Sequence, residues 1–127
     1  MESGTMEISK DYWTSRLNEF SAVHRGWLID VEYASPAGWT QAEMYGVPLI
    51  SVSFDPERSA AIRLNAGRSP SEHVAHVIDA PRRLWIERTV GGAESALAIK
   101  SSDGSRTTVR LKTAALPETV DSVAGWP

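Results

Sequence analysis

The only imidazoles in the chain are His24, His73 and His76. His73 and His76 are three residues apart, a spacing that puts both rings on one side of a helix, as some metal sites need. On a strand the same spacing sends them to opposite faces, and the pair dissolves. No Glu lies between them in an HExxH-like arrangement, and Glu72 is the only adjacent acid. A hydrogen-bonded, half-buried strand histidine is therefore the reading for His76. His24 reads as a helix-end cation or as part of a helix–sheet contact.

Carboxylates offer the second kind of chemistry. Asp30 and Glu32 share one face of a strand at a spacing of roughly 7 Å, and Glu43 can lie on the neighbouring strand. Paired carboxylates serve as acid and base in glycoside hydrolysis when suitably spaced. Acids on a solvent-facing strand also discourage edge-to-edge pairing, and nothing beside this trio supplies an electrophilic partner. Nucleophile motifs are missing: there is no G-x-S-x-G, and Gly67-Arg68-Ser69-Pro70-Ser71 lacks both its spacing and its strand–turn–helix setting. Gly91-Gly92 lies between two strands rather than before a helix, so a hairpin turn explains it better than a phosphate loop.

Five tryptophans in 127 residues are the most unusual compositional feature. Trp13, Trp27 and Trp85 fall on periodic elements, which predicts core packing. Trp85, alternating with Leu84 and Ile86, is placed on the outer sheet face instead. Trp39 follows a turn and Trp126 sits in the tail. An outward Trp39 or Trp85 is a candidate partner surface, because half-exposed Trp is enriched at interfaces.

The elements that must position these residues can be read from periodicity. Residues 1–7 are expected to be a loose leader. A helix is predicted over 10–24, with Ser9 as N-cap, Asp11 at the positive end, and Ile8 and Trp13 as a hydrophobic staple. Trp13, Leu17 and Phe20 give that helix an apolar stripe, and Gly26 suits its C′ position. From Gly26 the period falls to two. Trp27, Ile29, Val31 and Tyr33 share one strand face, and Leu28, Asp30 and Glu32 share the other. A turn at 35–38 leads to a strand over 39–45, which Gly46 is expected to break. A third strand follows over 47–54 and a fourth over 61–65.

The run from Ser69 to Asp79 admits two readings. Ser69-Pro70-Ser71-Glu72 carries a capping-box pattern with Pro at the first helical position. The β-branched alternation from His73 to Asp79 favours a strand, and strand is the reading adopted over 73–79. Strands over 84–89, 96–100 and 106–112 follow, joined by Val90-Gly91-Gly92-Ala93 and Ser102-Asp103-Gly104, as an up-down meander. The tail 113–127 is expected to be irregular.

Composition bounds the function classes. The chain has 13 Lys plus Arg against 16 Asp plus Glu, a net charge of −3 and a pI near 5.6. That balance argues against a nucleic-acid partner. No run approaches the roughly 20 apolar residues of a membrane helix, and the N-terminus lacks the apolar core of a signal peptide. Without cysteine neither disulfides nor thiolate metal sites can form. No cofactor or metal site is expected, and the cytoplasm is the expected location.

Taken along its length, the chain resembles a family of small bacterial proteins classed only as domains of unknown function. The residues that carry the resemblance begin with Gly26-Trp27 and its strand, then Val47-Pro48-Leu49 and Ser53-Phe54-Asp55. Next come His76-Val77-Ile78-Asp79-Ala80-Pro81, Ile86-Glu87, and Ser102-Asp103-Gly104 followed by Thr107-Thr108. The resemblance covers most of residues 8–112, implies an extended conformation over 73–79, and implies nothing about activity.

The expected protein is one mainly β domain spanning 1–127. Seven or eight short antiparallel strands in meander order form a sandwich or partly open barrel behind one N-terminal amphipathic helix. The alternative is an α+β domain with a second helix at 70–79. The expected function is a non-enzymatic interaction or assembly module, with a homodimer or another protein as partner. The alternative is a small-ligand-binding or hydrolytic protein with a pocket near Asp30, Glu32 and His76.

Overall fold

A computed structural model describes residues 4–58 and 60–113. The tail after Thr113, Trp126 included, lies outside the described residues. Gly4–Glu7 form strand β1 rather than part of a loose leader, because they pair antiparallel with residues 85–88. A four-residue strand held only by a partner some eighty residues away leaves no local periodicity to read. A 3-10 turn at Lys10–Tyr12 then leads into helix α1 (Trp13–His24), which starts later than expected. Ser9 makes no side-chain cap; its carbonyl accepts the Tyr12 N–H at 2.9 Å. The staple of Ile8 and Trp13 acquires a hydrogen bond, with Trp13 Nε1 donating to Ile8 O at 2.8 Å. Trp13, Leu17 and Phe20 are buried as the stripe requires, and Gly26 turns the chain at φ +87°.

The remaining strands are β2 (Leu28–Ala34), β3 (Thr40–Phe54), β4 (Ile62–Gly67), β5 (His73–Ile78), β6 (Pro81–Arg88), β7 (Glu94–Ser101) and β8 (Arg106–Thr113). Among the described residues they make, with β1, one eight-stranded antiparallel sheet in the order β1-β6-β7-β8-β2-β3-β4-β5, not closed into a barrel. Meander order holds in two runs, β2 to β5 and β6 to β8, and β8 returns to pair with β2. The capping-box pattern at 69–72 yields only a 3-10 turn over Pro70–Glu72, and the disputed segment is strand. Only Asp79 and Ala80 separate β5 from β6, and Ala80 makes that passage at φ +47°. The last strand of one run and the first of the other are thus neighbours in sequence without being paired.

Gly46 does not break the chain as expected; the two strands foreseen at 39–45 and 47–54 are one strand of 15 residues. The pairing β2–β3 shifts register twice and β3–β4 once, each shift adding one residue on β3. Such bulges bend a strand and increase its twist. Gly46, at φ +63°, occupies one of them, a conformation that costs glycine little. The first half of β3 pairs with β2 and the second half with β4, so this one strand carries the sheet around its curve.

Past Pro48 the second half of β3 has no β2 beside it, and α1 takes that place. Ser21 Oγ accepts the Val52 N–H at 2.8 Å and stands 2.9 Å from Val52 O and 2.8 Å from Leu17 O, to either of which its hydroxyl can donate. Thr14 donates to Phe54 O at 2.9 Å, and Gly26 N–H donates to Leu49 O at 2.8 Å. Helix hydroxyls thereby satisfy strand groups that would otherwise be buried without partners. Trp13, Leu17 and Phe20 join Ile29, Val31, Leu64, Leu97, Val109 and their neighbours in one core.

Candidate functional site

The carboxylates singled out first do not meet His76. Asp30 stands on the outer face of β2, opposite in phase to buried Ile29 and Val31. Its Oδ1 accepts the Gly46 N–H at 2.8 Å and its Oδ2 lies 3.8 Å from Lys112 Nζ. Asp30 thus fastens the Gly46 bulge. Lys112 is held above the usual lysine range by the Tyr45 hydroxyl first and by Asp30 as well, and its ammonium lies 4.2 Å from the Tyr45 ring centre. Glu32 is exposed on the same outer face. The expected pocket joining Asp30, Glu32 and His76 is therefore not formed, because alternation along β2 turns both acids away from the face that His76 shares.

His76 instead lines a groove of about 340 Å³ at one end of the sheet. The apolar inner face gives out there, row by row. Met44, Val31, Val109, Leu97 and Ile86 stand side by side across β3, β2, β8, β7 and β6. In the next row, the first three of those strands carry Gln41, Tyr33 and Thr107. Beyond them come Ser101 and the turn with Asp103 and Ser105. A bulge supplies a further group: Ala42 opposes Glu32 and Met44 opposes Val31, which leaves Glu43 as the extra residue, lining the groove. His76, opposite buried Leu64 on β4, and Asp79 close the other side. His73, three residues earlier on the same strand, lies on the opposite face, so the pair forms no common site.

Trp39 is 55 % exposed at the rim of this groove, its ring centre 5.8 Å from that of Tyr33. Asp103 accepts the Ser105 hydroxyl at 2.6 Å and the Ser105 N–H at 2.8 Å. Those bonds, the hydroxyl first, hold its carboxyl below the usual aspartate range. Trp85 is on the outer face as expected but is no open contact surface. Arg83 and Arg106 lie over its ring at 4.8 and 5.3 Å. Arg83 is fixed by Glu7 through two bonds of 2.7 and 3.0 Å, which hold the Glu7 carboxyl below its usual range.

A second cluster escaped sequence reading. His24 is 4 % exposed and sits between Phe20 and Trp27, at ring distances of 4.5 and 4.8 Å. Its Nδ1 is 2.9 Å from Phe20 O and its Nε2 is 3.9 Å from Glu94 Oε1. Glu94 also gathers Arg16 at 3.1 Å and Arg88 at 3.7 Å. Of the two readings for His24, the helix–sheet contact is the one observed. Glu94, at the start of β7, joins the helix to the β6–β7 hairpin. Its carboxylate is already committed to two guanidinium groups, which suits an anchor better than a reacting base. Among the described residues no three His, Asp or Glu side chains are placed to hold a metal ion, and no helix is long and apolar enough to cross a membrane.

The family model for a family of unknown function, DUF5335, matches residues 4–119. That match agrees with the resemblance read from the motifs. No curated protein and no solved structure matches the chain.

Proposed function

We propose, from the premise that the chain belongs to this family of unknown function, that it is a non-enzymatic assembly module pairing with a second copy of itself through the edge of β5. The observation that carries the reading is the edge itself. β5 ends the sheet, and among the described residues it pairs with β4 alone. Its six residues, HVAHVI, include no Lys, Arg, Asp, Glu or Pro, and Val74 and Val77 are 57 % and 44 % exposed. Edge strands left open are commonly blunted by Lys, Pro, bulges or short length. The opposite edge, β1, is only four residues long and carries the Glu7–Arg83 ion pair.

A two-fold axis beside β5 lays the same six residues antiparallel to themselves, the isologous arrangement of most homodimers. Those six residues bring no like charges into opposition. The exposed row of backbone groups supplies the hydrogen bonds, as in strand addition generally. A cytoplasmic setting belongs to the same proposal, and a cysteine-free chain fits a reducing compartment.

Sedimentation equilibrium over a wide concentration range tests the reading, with Val74→Lys as a guarded edge. The expected result is a mass that rises toward the dimer with concentration in the natural chain and stays monomeric in Val74→Lys, with unchanged circular dichroism. A natural chain that remains monomeric throughout overturns the proposal, and so does a dimer indifferent to Val74→Lys. Pairing with some other protein instead of a second copy is the first of those outcomes.

A further inference from the structure

We propose that the groove beneath Trp39 is a binding site for an organic cation, a protonated amine or a guanidinium group. This does not rest on pairing at β5. The groove of about 340 Å³ is lined by Glu43, Asp79 and Asp103 and by no Lys or Arg. Among the described residues no hydrogen bond or ion pair engages the side-chain carboxylate of Glu43 or Asp79, while Lys112, Arg106 and Arg110 belong to β8 positions outside the lining. The bulge puts Glu43 here; with regular pairing a single residue would stand opposite Val31.

A second, independent observation also points to a ligand. Thr107, 4 % exposed, and Ser101, 9 % exposed, line the groove from core-phase positions. Among the described residues no hydrogen bond engages either side-chain hydroxyl. Buried hydroxyls are normally partnered, so two at the floor of one groove mark places where a bound donor or its water is received. The half-exposed Trp39 ring beside Tyr33 supplies the remaining element, since an aromatic face attracts ammonium and guanidinium groups. The carboxylates are too dispersed to converge on one metal ion. A cation several atoms long suits them better than a point charge.

Putrescine and methylguanidinium are the probes, with 1,4-butanediol as the neutral match for putrescine and succinate as its anionic counterpart. Amide and indole shifts are followed by NMR at fixed ionic strength. The expected result is saturable movement of the Trp39 indole N–H and the Ser101 and Thr107 amides with putrescine or methylguanidinium. Neither butanediol nor succinate should produce it. Affinity should fall about tenfold or more in Glu43→Gln and severalfold in Trp39→Leu, each variant keeping the dispersion of the natural spectrum. It should also weaken as salt is raised. A capped lysine amide distinguishes the source: tighter binding than putrescine assigns the cation to a protein side chain, weaker binding to a free amine. Equal response to butanediol, an unsaturable drift, a response centred on Asp30 and Glu32, or full affinity in both variants overturns the proposal.

Discussion

Asp103 shows how a side chain's role depends on what its neighbours fix. In the sequence it is simply the second residue of a hairpin turn, Ser102-Asp103-Gly104. In the fold its carboxylate is held by the hydroxyl and the N–H of Ser105, and its pKa lies below the usual aspartate range. A carboxyl lowered by folding adds stability that is present above its unfolded value. That stability is lost as the pH falls through the folded value. Ser105→Ala removes the larger of the two donors. The expected outcome is a carbon-13 titration of the Asp103 carboxyl that shifts up toward the ordinary range. The fall in melting temperature on acidification from neutral pH should be correspondingly smaller. Other residue roles were less legible. Asp30 and Glu32 alternate with the core positions, so their outward placement is readable, but only side-chain chemistry, and no spacing, connects His76 with them. Thr107 repeats the phase of Val109 and Leu111, and a polar residue at a core-phase position is the signal that marks the groove.

At the scale of elements, period-two alternation located β2, β5 and β8, and turn residues on either side marked off β4, β6 and β7. The bulges of β3 were hidden, since every extra residue resets the alternation and makes one long strand look like two. β1 was hidden as well, because its pairing with β6 is entirely non-local. The relation between α1 and β3 is visible only in three dimensions. The stripe of Trp13, Leu17 and Phe20 predicted that the helix packs, but not that Ser21 stands in for a missing strand. Ser21→Ala leaves the Val52 N–H buried without a partner, which costs about 1–3 kcal/mol. The expected outcome is that loss in denaturant unfolding, with the m-value unchanged. Ser15→Ala, on the exposed side of the same helix, should change stability little.

At the scale of the whole molecule, a curled sheet left open has two edges and a core that must be closed at its ends. α1 covers the second half of β3, the Glu7–Arg83 pair dresses the short β1 edge, and polar side chains close the end near Trp39. β5 is the part of this plan with least protection, and the proposed assembly of copies rests on it. Residue-resolved hydrogen exchange of β5 at low and high protein concentration is the most direct measurement. The expected result is that amides between Val74 and Ile78 that exchange quickly in dilute solution become protected as concentration rises. Those of β1 should not change, and Val74→Lys should abolish the effect. Exchange of the β5 amides that is independent of concentration in the natural chain would contradict assembly through this edge.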